Sequence, residues 1–378
     1  MTASFYSRFL PGLILLVWLV SPITSWAHKA SDSFIYIDQI QSTIRVDLAL
    51  RDLALLVTLD RDRNGQVTGA EFRQSRDGFD QVLDRHFSVA NSSGPCQRQP
   101  GTWGLSQHSD GPYAAASYRV TCPDNKTPSS LNYTLLFDQD SLHRGLVSVT
   151  DTHGERLGVI APDATRMSLE SASGPMEHAI RLFSTFLYQG VVHLMIGLDH
   201  ILFLLVLILP ATLPYASRPG FSDASLRSRL LDLVGIVTAF TVAHSITLAL
   251  AAFDIVSLPI AWVETVIALS IVIAAINVLW PILGRKTWKL AFGFGLIHGF
   301  GFASVLGDLT SGVSQTAIAL AGFNLGVELG QLLLVLALFP MLYFLSRYPL
   351  YTRAAVPTVL MIVGFVSLYW VVDRIPVI

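Results

Sequence analysis

The chain has 378 residues, of which 52% are hydrophobic and 14% are charged, and its formal net charge is -2. Such an apolar composition lies outside the range of ordinary soluble domains and indicates a membrane protein. The small net charge argues against nucleic acid as a partner. The sequence contains neither a Walker A loop nor a dinucleotide-binding fingerprint.

The first 27 residues have the parts of an export signal. Leu10–Val20 is an apolar run too short to span a bilayer comfortably, and Ser25-Trp26-Ala27 fits a small-x-small cleavage site. We expect cleavage after Ala27, with an uncleaved anchor as the alternative. Cleavage would leave His28 at the N-terminus, where its amine and imidazole form a natural chelate for Cu(II) or Ni(II). An N-terminal histidine can also arise by chance.

Residues 28–180 are predicted to form an exported, β-rich domain. Within residues 33–50, the alternation of apolar and polar residues and the β-branched content predict two strands. Four further strand segments are separated by turn-forming clusters, and a small antiparallel β-sandwich is the expected architecture. These segments are Ala114–Cys122, Leu131–Phe137, Gly145–Asp151 and Arg156–Ile160.

The two cysteines, Cys96 and Cys122, both lie in this domain. In an oxidising compartment they are expected to form one disulfide. Two unrelated free thiols are the alternative.

Residues 60–71 match the twelve-residue EF-hand loop, with an oxygen donor at each liganding position. Gly65 permits the sharp turn, Gln66 offers its backbone carbonyl, and helices are expected over 52–59 and 69–86. The loop therefore predicts a calcium site of a structural kind, and a polar turn with chance acidic residues is the alternative. The predicted ligands are Asp60, Asp62, Asn64, Gln66, Thr68 and Glu71.

Residues 181–378 are predicted to form a six-helix transmembrane bundle, so the expected fold is mixed, with the sandwich and its EF-hand-like loop preceding the bundle. The spans are 186–209, 231–253, 258–280, 288–308, 316–340 and 354–372. Eight basic residues would then lie in inner loops and two, Arg181 and Arg374, at outer flanks. By the positive-inside rule this places the chain in a bacterial inner membrane with the N-terminal domain and the C-terminus in the periplasm.

Ionisable and amide side chains recur within the predicted spans. Each ionisable group costs several kcal/mol in hydrocarbon unless it is paired, so each is a candidate functional residue. Their depths allow five helices to converge on one buried polar centre. The candidates are His193, Asp199, His200, His244, Glu264, His298, Asn324 and Glu328.

On a continuous helix, His193 and His200 lie within about 20° of one face, whereas Asp199 lies about 120° from His193. Asp199 is therefore expected to orient an imidazole from another helix rather than to share one site with both histidines. Imidazoles and carboxylates without cysteine suit Ni, Co, Zn, Cu or Fe. The alternative is a network of hydrogen bonds between helices that holds no metal.

Two segments carry a family resemblance. His193-x5-Asp199-His200, within residues 190–203, together with residues 294–303, resembles the HupE/UreJ family of nickel/cobalt-type permeases. The start of the mature domain, residues 28–33, is more loosely similar to the longer branch of that family, which has an exported N-terminal domain. The resemblance implies nickel uptake connected with hydrogenase or urease maturation.

The second motif departs from the pattern His-Gly-x-Ala-His-Gly-x-Glu of shorter members. His298-Gly299 is kept, but Phe302 and Val305 stand where the second His and the Glu would be. This departure weakens the transfer of nickel specificity to this chain. The candidates to replace the missing ligands are His244, Glu264 and Glu328.

The leading hypothesis is a non-enzymatic permease for a divalent transition metal (Ni, Co or Zn), with a metal-delivery or maturation protein as partner. An intramembrane zinc hydrolase is the alternative, in which three histidines and a carboxylate activate water and Ser245 or Asp199 assists. A non-catalytic assembly factor is the third hypothesis, and the number of buried ionisable groups argues against it.

Overall fold

The computed structural model describes residues 32–108, 111–141, 143–152, 154–170, 174–213, 226–280, 282–283, 287–301 and 313–375. The predicted export signal and His28 lie outside these residues, as do residues 302–308 of the predicted span 288–308.

The N-terminal part is a sheet domain. Its strands are β1 (Asp32–Asp38), β2 (Thr43–Ala49), β3 (Phe87–Asn91), β4 (Gly94–Pro95), β5 (Gln97–His108), β6 (Gly111–Thr121), β7 (Ser130–Tyr133), β8 (Arg144–Asp151), β9 (Gly154–Ile160) and β10 (Arg166–Ser168). Its helices are α1 (Leu50–Leu56), α2 (Gly69–Gln74) and α3 (Arg76–His86).

The strands form two sheets around one core. The six-stranded sheet has the order β5-β6-β2-β1-β8-β9 and the four-stranded sheet the order β10-β7-β3-β4. Ile35, Val46 and Val147 of the first sheet lie in the same buried cluster as Val89 and Leu131 of the second. The sheets therefore pack face to face as the two layers of a sandwich.

One strand pairing differs from the antiparallel expectation. β1 runs parallel to β8, whereas the other described pairs are antiparallel. The two strands are far apart in sequence, and a long connection permits parallel pairing where a hairpin would not. The sequence pattern of a single strand carries no information about its neighbour's direction.

Two local predictions also needed correction. The helix expected over 69–86 is interrupted at Ser75, where α2 ends and α3 begins. The strand expected over 131–137 ends at Tyr133, because residues 135–139 turn and Leu136 adopts a positive φ of 62°. Cys96 and Cys122 are joined by a disulfide.

The C-terminal part is helical. Its helices are α4 (Pro175–Ile196), α5 (Leu198–Thr212), α6 (Leu226–Ala252), α7 (Ile260–Leu279), α8 (Thr287–His298), α9 (Val313–Leu345) and α10 (Val356–Arg374). Among the described residues, five helices are long and apolar enough to cross a membrane, and Leu198–Thr212 is a shorter apolar helix. The five are Met176–Ile196, Leu226–Ala252, Ile260–Leu279, Gln315–Leu345 and Tyr351–Arg374.

The predicted span over 186–209 is not one helix. Gly197 separates α4 from α5 with φ -66° and ψ 94°. A Cβ at Gly197 would lie 2.8 Å from Nδ1 of His200 and 2.9 Å from the carbonyl oxygen of His193, so a larger residue does not fit this bend. Asp199 stabilises the new helix start, because its Oδ1 accepts the backbone N–H of His200 at 2.9 Å.

The sheet domain packs on one end of the helical part. Phe34 and Tyr113 of the six-stranded sheet share a buried cluster with residues from the start of α4, the end of α6 and the start of α9. These residues are Leu182, Phe186, Leu248, Ala252, Ala319, Leu320 and Phe323. β1 is consequently buried on both faces, since Phe34 meets the helices while Ile35 and Ile37 meet the sandwich core.

The disulfide gives a test of the sheet domain. Replacing both Cys96 and Cys122 with serine opens a loop with a sequence separation of 26 residues. The chain-entropy model predicts a loss of about 3 kcal/mol of unfolding free energy, because the unfolded chain gains freedom. Denaturant unfolding of the purified protein, monitored by the circular dichroism of the sheets, measures it. Equal stability of the variant and the wild type would contradict the prediction.

Candidate metal centre

Four helices bring histidine side chains to one buried region. The imidazole rings of His193 on α4 and His200 on α5 lie 4.9 Å apart between centroids, and those of His200 and His298 on α8 lie 5.4 Å apart. His244 on α6 interacts electrostatically with His193, His200 and His298. The break at Gly197 lets two separate helices place His193 and His200 beside each other, so the single-helix geometry expected from the sequence does not apply.

The tautomer of His244 follows from its partner. The amide nitrogen of Asn324 donates to the carbonyl oxygen of Leu320 at 3.0 Å, which fixes the amide orientation. Oδ1 of Asn324 lies 3.0 Å from Nδ1 of His244 and must therefore accept a hydrogen bond from the Nδ1–H group. In a neutral imidazole the other nitrogen, Nε2, then carries the lone pair.

The same reasoning applies to His200. Oδ1 of Asp199 lies 3.0 Å from Nδ1 of His200, and an ionised carboxylate only accepts hydrogen bonds. Nδ1 therefore carries the proton, and Nε2 carries the lone pair. A carboxylate that orients an imidazole in this way is the usual companion of a metal-binding histidine.

His298 is oriented by Ser270 on α7. The hydroxyl of Ser270 donates its proton to the carbonyl oxygen of Ile267 at 2.7 Å, so it must accept from Nε2 of His298 at 3.2 Å. The lone pair of His298 is then on Nδ1.

Each of these three histidines therefore presents an unprotonated nitrogen. Nε2 of His200, Nε2 of His244 and Nδ1 of His298 are buried and have no hydrogen-bond partner among the described residues. An unpaired polar atom in an apolar interior costs free energy, so such atoms call for a role. The arrangement supplies imidazole donors suited to a divalent transition metal.

The donors do not form a closed site. Within the described part of the chain, the only group of three His, Cys, Asp or Glu residues whose ligand atoms lie within 4.8 Å of one another is outside this centre. In a tetrahedral zinc site the nitrogen ligands lie about 3.3 Å apart. The histidines thus surround the region more loosely than a tight metal site requires.

Neither predicted glutamate hydrogen-bonds to a histidine among the described residues. Oε1 of Glu328 accepts a hydrogen bond from the hydroxyl of Thr238 at 2.8 Å. Glu264 is half-buried on α7 and makes no hydrogen bond or ion pair with any described residue. It lies about 9 Å along the helix from Ser270, six residues away.

The loop at residues 60–71 holds that one compact group. Asp60, Asp62 and Glu71 each place a carboxylate oxygen within 4.8 Å of the others, so they could hold a metal ion. Gly65 has φ +82°, and its N–H donates to Oδ2 of Asp60 at 2.8 Å. Thr68 caps α2 by accepting the backbone N–H of Glu71.

Glu71 is strongly anionic. Its carboxylate accepts hydrogen bonds from the backbone N–H and the hydroxyl of Thr68 at 2.9 and 2.7 Å, and from the backbone N–H of Arg61 at 2.9 Å. These bonds lower the pKa of Glu71 to about 2, and the bond from the backbone N–H of Thr68 has the largest effect. Glu71 is therefore ionised at neutral pH, as a cation ligand requires.

A family model described as HupE / UreJ protein matches residues 170–374. The chain belongs to the HupE/UreJ family. A comparison with curated proteins gives no matching relative. Membership of the family, with the apolar helices, indicates a multi-pass membrane protein and suggests nickel or cobalt transport across a membrane.

Sequence reasoning missed Ser270 and Thr238, which bond to His298 and Glu328. A serine or threonine in an apolar helix is common and carries little signal by itself, since its hydroxyl can bond within its own helix. Only the packing of α7 on α8 and of α6 on α9 gives these hydroxyls their partners. Within this family member, they belong to the same polar region as the histidines.

The inferred tautomer of His244 can be tested with Asn324→Leu. This change keeps the branching of the side chain but removes the acceptor of the buried Nδ1–H of His244, so we expect a loss of about 1–2 kcal/mol of unfolding free energy. Ser367→Ala is the matched control, because the buried Ser367 hydroxyl has no hydrogen-bond partner among the described residues. Unfolding in lipid nanodiscs measures both, and an equal loss in the two variants would exclude the assigned bond.

Proposed function

We propose that this protein is an inner-membrane permease for a divalent transition metal of the nickel/cobalt type. The observation that carries the proposal is the set of three buried imidazoles, His200, His244 and His298, each held by a partner so that an unprotonated nitrogen remains available. His193 extends the set towards α4. The family to which the chain belongs supports the same function.

The loose arrangement favours transport over hydrolysis. A catalytic zinc site needs three ligands converging on one ion to hold it tightly and activate water. A permease needs donors that bind an ion and release it again, as spaced imidazoles would. Nothing in the described residues favours the hydrolase alternative, so a second function is not proposed.

The donor set suits nickel, cobalt or zinc as cargo. Neutral imidazoles suit these ions, and the helical part contains no cysteine, which a soft Cu(I) site would favour. Asp199 and Asn324 would act by orienting histidines. Glu264 and Glu328, which bond to no described histidine, would serve as further ligands along the path of the ion.

We also propose that residues 28–180 form the exported domain and that the C-terminus shares its side of the membrane. The sheet domain packs on the start of α4, the end of α6 and the start of α9, as alternating crossings require. The hydroxyl of Thr265, near the start of α7, donates to the carbonyl oxygen of Arg374 at the end of α10. The basic residues assigned to inner loops favour a periplasmic placement.

The loop at 60–71 is proposed to bind calcium as a structural ion of the exported domain. Its carboxylates and the oxygens of Asn64, Gln66 and Thr68 are the hard donors that calcium prefers. The sheet domain would then offer a rigid surface at the outer mouth of the bundle, where a metal-delivery or maturation protein could dock.

The permease proposal predicts the effect of removing single imidazoles. His200→Ala and His244→Ala are each expected to lower uptake of ⁶³Ni, ⁵⁷Co or ⁶⁵Zn by about 10- to 100-fold, because each removes a donor with a fixed tautomer. Uptake by cells with matched protein levels measures this. His86→Asn, in the sheet domain and bonded to Thr134, is the control and should transport normally.

Uptake that is unchanged in both alanine variants would exclude the proposed site. If wild-type cells accumulate none of the three metals to a higher level than cells lacking the protein, the permease function is excluded altogether.

The calcium proposal predicts a stability difference. At a calcium concentration about 100 times the dissociation constant, binding should raise the unfolding free energy by about 2.7 kcal/mol. Glu71→Gln should abolish most of this gain, because it removes the ligand that closes the loop. Thermal unfolding of the full-length protein in calcium and in chelator measures it. Asp77→Asn, an exposed acid on α3, is the control, and no calcium effect in the wild type would refute the site.

A further inference from the structure

Two helix pairs in the helical part pack backbone against backbone. In the first pair, α4 lies on α9. A Cβ on Gly190 would overlap the carbonyl oxygen of Phe323, and a Cβ on Gly326 would overlap that of Leu187. Such backbone contacts leave no space for α4 to shift against α9, so the two helices form one rigid unit.

The second pair is α8 on α6. A Cβ on Gly295 would overlap the carbonyl oxygen of Phe240, and a Cβ on Gly299 would overlap the hydroxyl of Thr247 and the carbonyl oxygen of His244. This pair is as closely packed as the first.

The two pairs use the same contacts at the same spacing. In each pair, a Cβ on one glycine would overlap the carbonyl oxygen of a phenylalanine on the partner helix. The residue four positions after this glycine contacts the residue seven positions after this phenylalanine. The two sets are Gly190, Leu194, Phe323 and Gly330 in the first pair, and Gly295, Gly299, Phe240 and Thr247 in the second.

The pairs point in opposite directions. Contacts within each pair advance along both helices together, so the two helices of a pair are parallel. The start of α9, at Ala319 and Leu320, touches the sheet domain, whereas α6 touches it with its end, at Leu248 and Ala252. The pair α4/α9 therefore runs away from the sheet domain, and the pair α6/α8 runs towards it.

Equivalent histidines lie near the C-terminal ends of α4 and α8. α4 carries Gly190-x-x-His193 and ends at Ile196, and α8 carries Gly295-x-x-His298 and ends at that histidine. The rings of His193 and His298 both approach His200. Two helices of opposite direction thus end at one buried centre.

We propose that the helical part consists of two inverted halves, α4–α7 and α8–α10, and that the pair α4/α9 moves against the pair α6/α8 to expose the centre to one side of the membrane at a time. His193 and His298 are then equivalent ligands, one on each moving unit. Inverted repeats with interrupted helices meeting at a central site are the common basis of alternating access in transporters. This mechanism rests on the proposed permease function.

The contacts between the pairs suit such a motion. α6 and α9 are linked by side-chain hydrogen bonds, from Thr238 to Glu328 and from Thr241 to Gln331, and by the bond between His244 and Asn324. Polar bonds between membrane helices contribute about 0.6–2 kcal/mol each, so they can exchange during transport. The glycine contacts within each pair cannot separate without opening a void.

Cross-linking tests where the motion occurs. Leu194→Cys with Gly330→Cys joins α4 to α9 within a pair, and an ideal Cβ on Gly330 lies 3.6 Å from Cβ of Leu194, a distance that a disulfide accepts. Thr241→Cys with Gln331→Cys, joined by a short bifunctional thiol reagent, links the two pairs. Metal uptake into proteoliposomes and metal binding by the purified protein are measured for each, with each single cysteine variant as control.

We expect the link within a pair to leave uptake within about twofold of the wild type. The link between pairs should lower uptake by about tenfold or more while metal binding persists, and cleavage of the link should restore uptake. Normal uptake in the protein linked between pairs, or an equal loss in both linked proteins, would overturn the proposed motion.

A second arm separates this inference from the permease function. If the wild type transports no metal, the permease proposal fails, and thermal unfolding alone then tests the repeat. Gly190→Ala and Gly295→Ala should each lower the unfolding temperature, because each Cβ would overlap the carbonyl oxygen of a phenylalanine on the partner helix. Gly293→Ala should not, since nothing lies within 4 Å of a Cβ on Gly293. A loss of stability at only one of Gly190 and Gly295 would exclude the repeat.

Discussion

A histidine buried among apolar helices has two ring nitrogens, and each must find a partner or bear the cost of having none. Here Asp199, Asn324 and Ser270 each take one nitrogen of a histidine and thereby fix which nitrogen bears the lone pair. The remaining nitrogens are buried and have no hydrogen-bond partner among the described residues. The proposed metal centre depends on this constraint, because a different tautomer would turn an N–H, which cannot bind a metal, towards the centre.

Close helix packing makes those partners available. The bend at Gly197 places His193 and His200 on different helices, and Asp199 both stabilises the start of α5 and orients His200. Gly295 and Gly299 bring α8 against α6, which carries His244. Small residues therefore set the positions of the large polar ones, and the rigid units they create define which contacts remain free to change.

The sheet domain completes the arrangement at one end of the bundle. Within its six-stranded sheet, β1 is buried on both faces, against the sandwich core on one side and against the helices on the other. The domain contacts one helix of the pair α6/α8 and both helices of the pair α4/α9. The loop at residues 60–71 belongs to the same domain.

The sequence by itself determined the sheet domain, the apolar helices, the cysteine pair and the identities of the polar residues within the spans, because hydrophobic periodicity and the cost of buried charge are local properties of the chain. It also placed the acidic residues of the loop at 60–71 correctly for a cluster. The tertiary structure alone shows the parallel pairing of β1 with β8, the break at Gly197 and the bond between Ser270 and His298. It also shows that Asp199 orients His200 on its own helix, not an imidazole from another helix as expected, and that neither Glu264 nor Glu328 bonds to a described histidine. These features depend on which segments meet. The spacing of residues along one helix or strand specifies neither the direction of a neighbouring strand nor the partner of a hydroxyl.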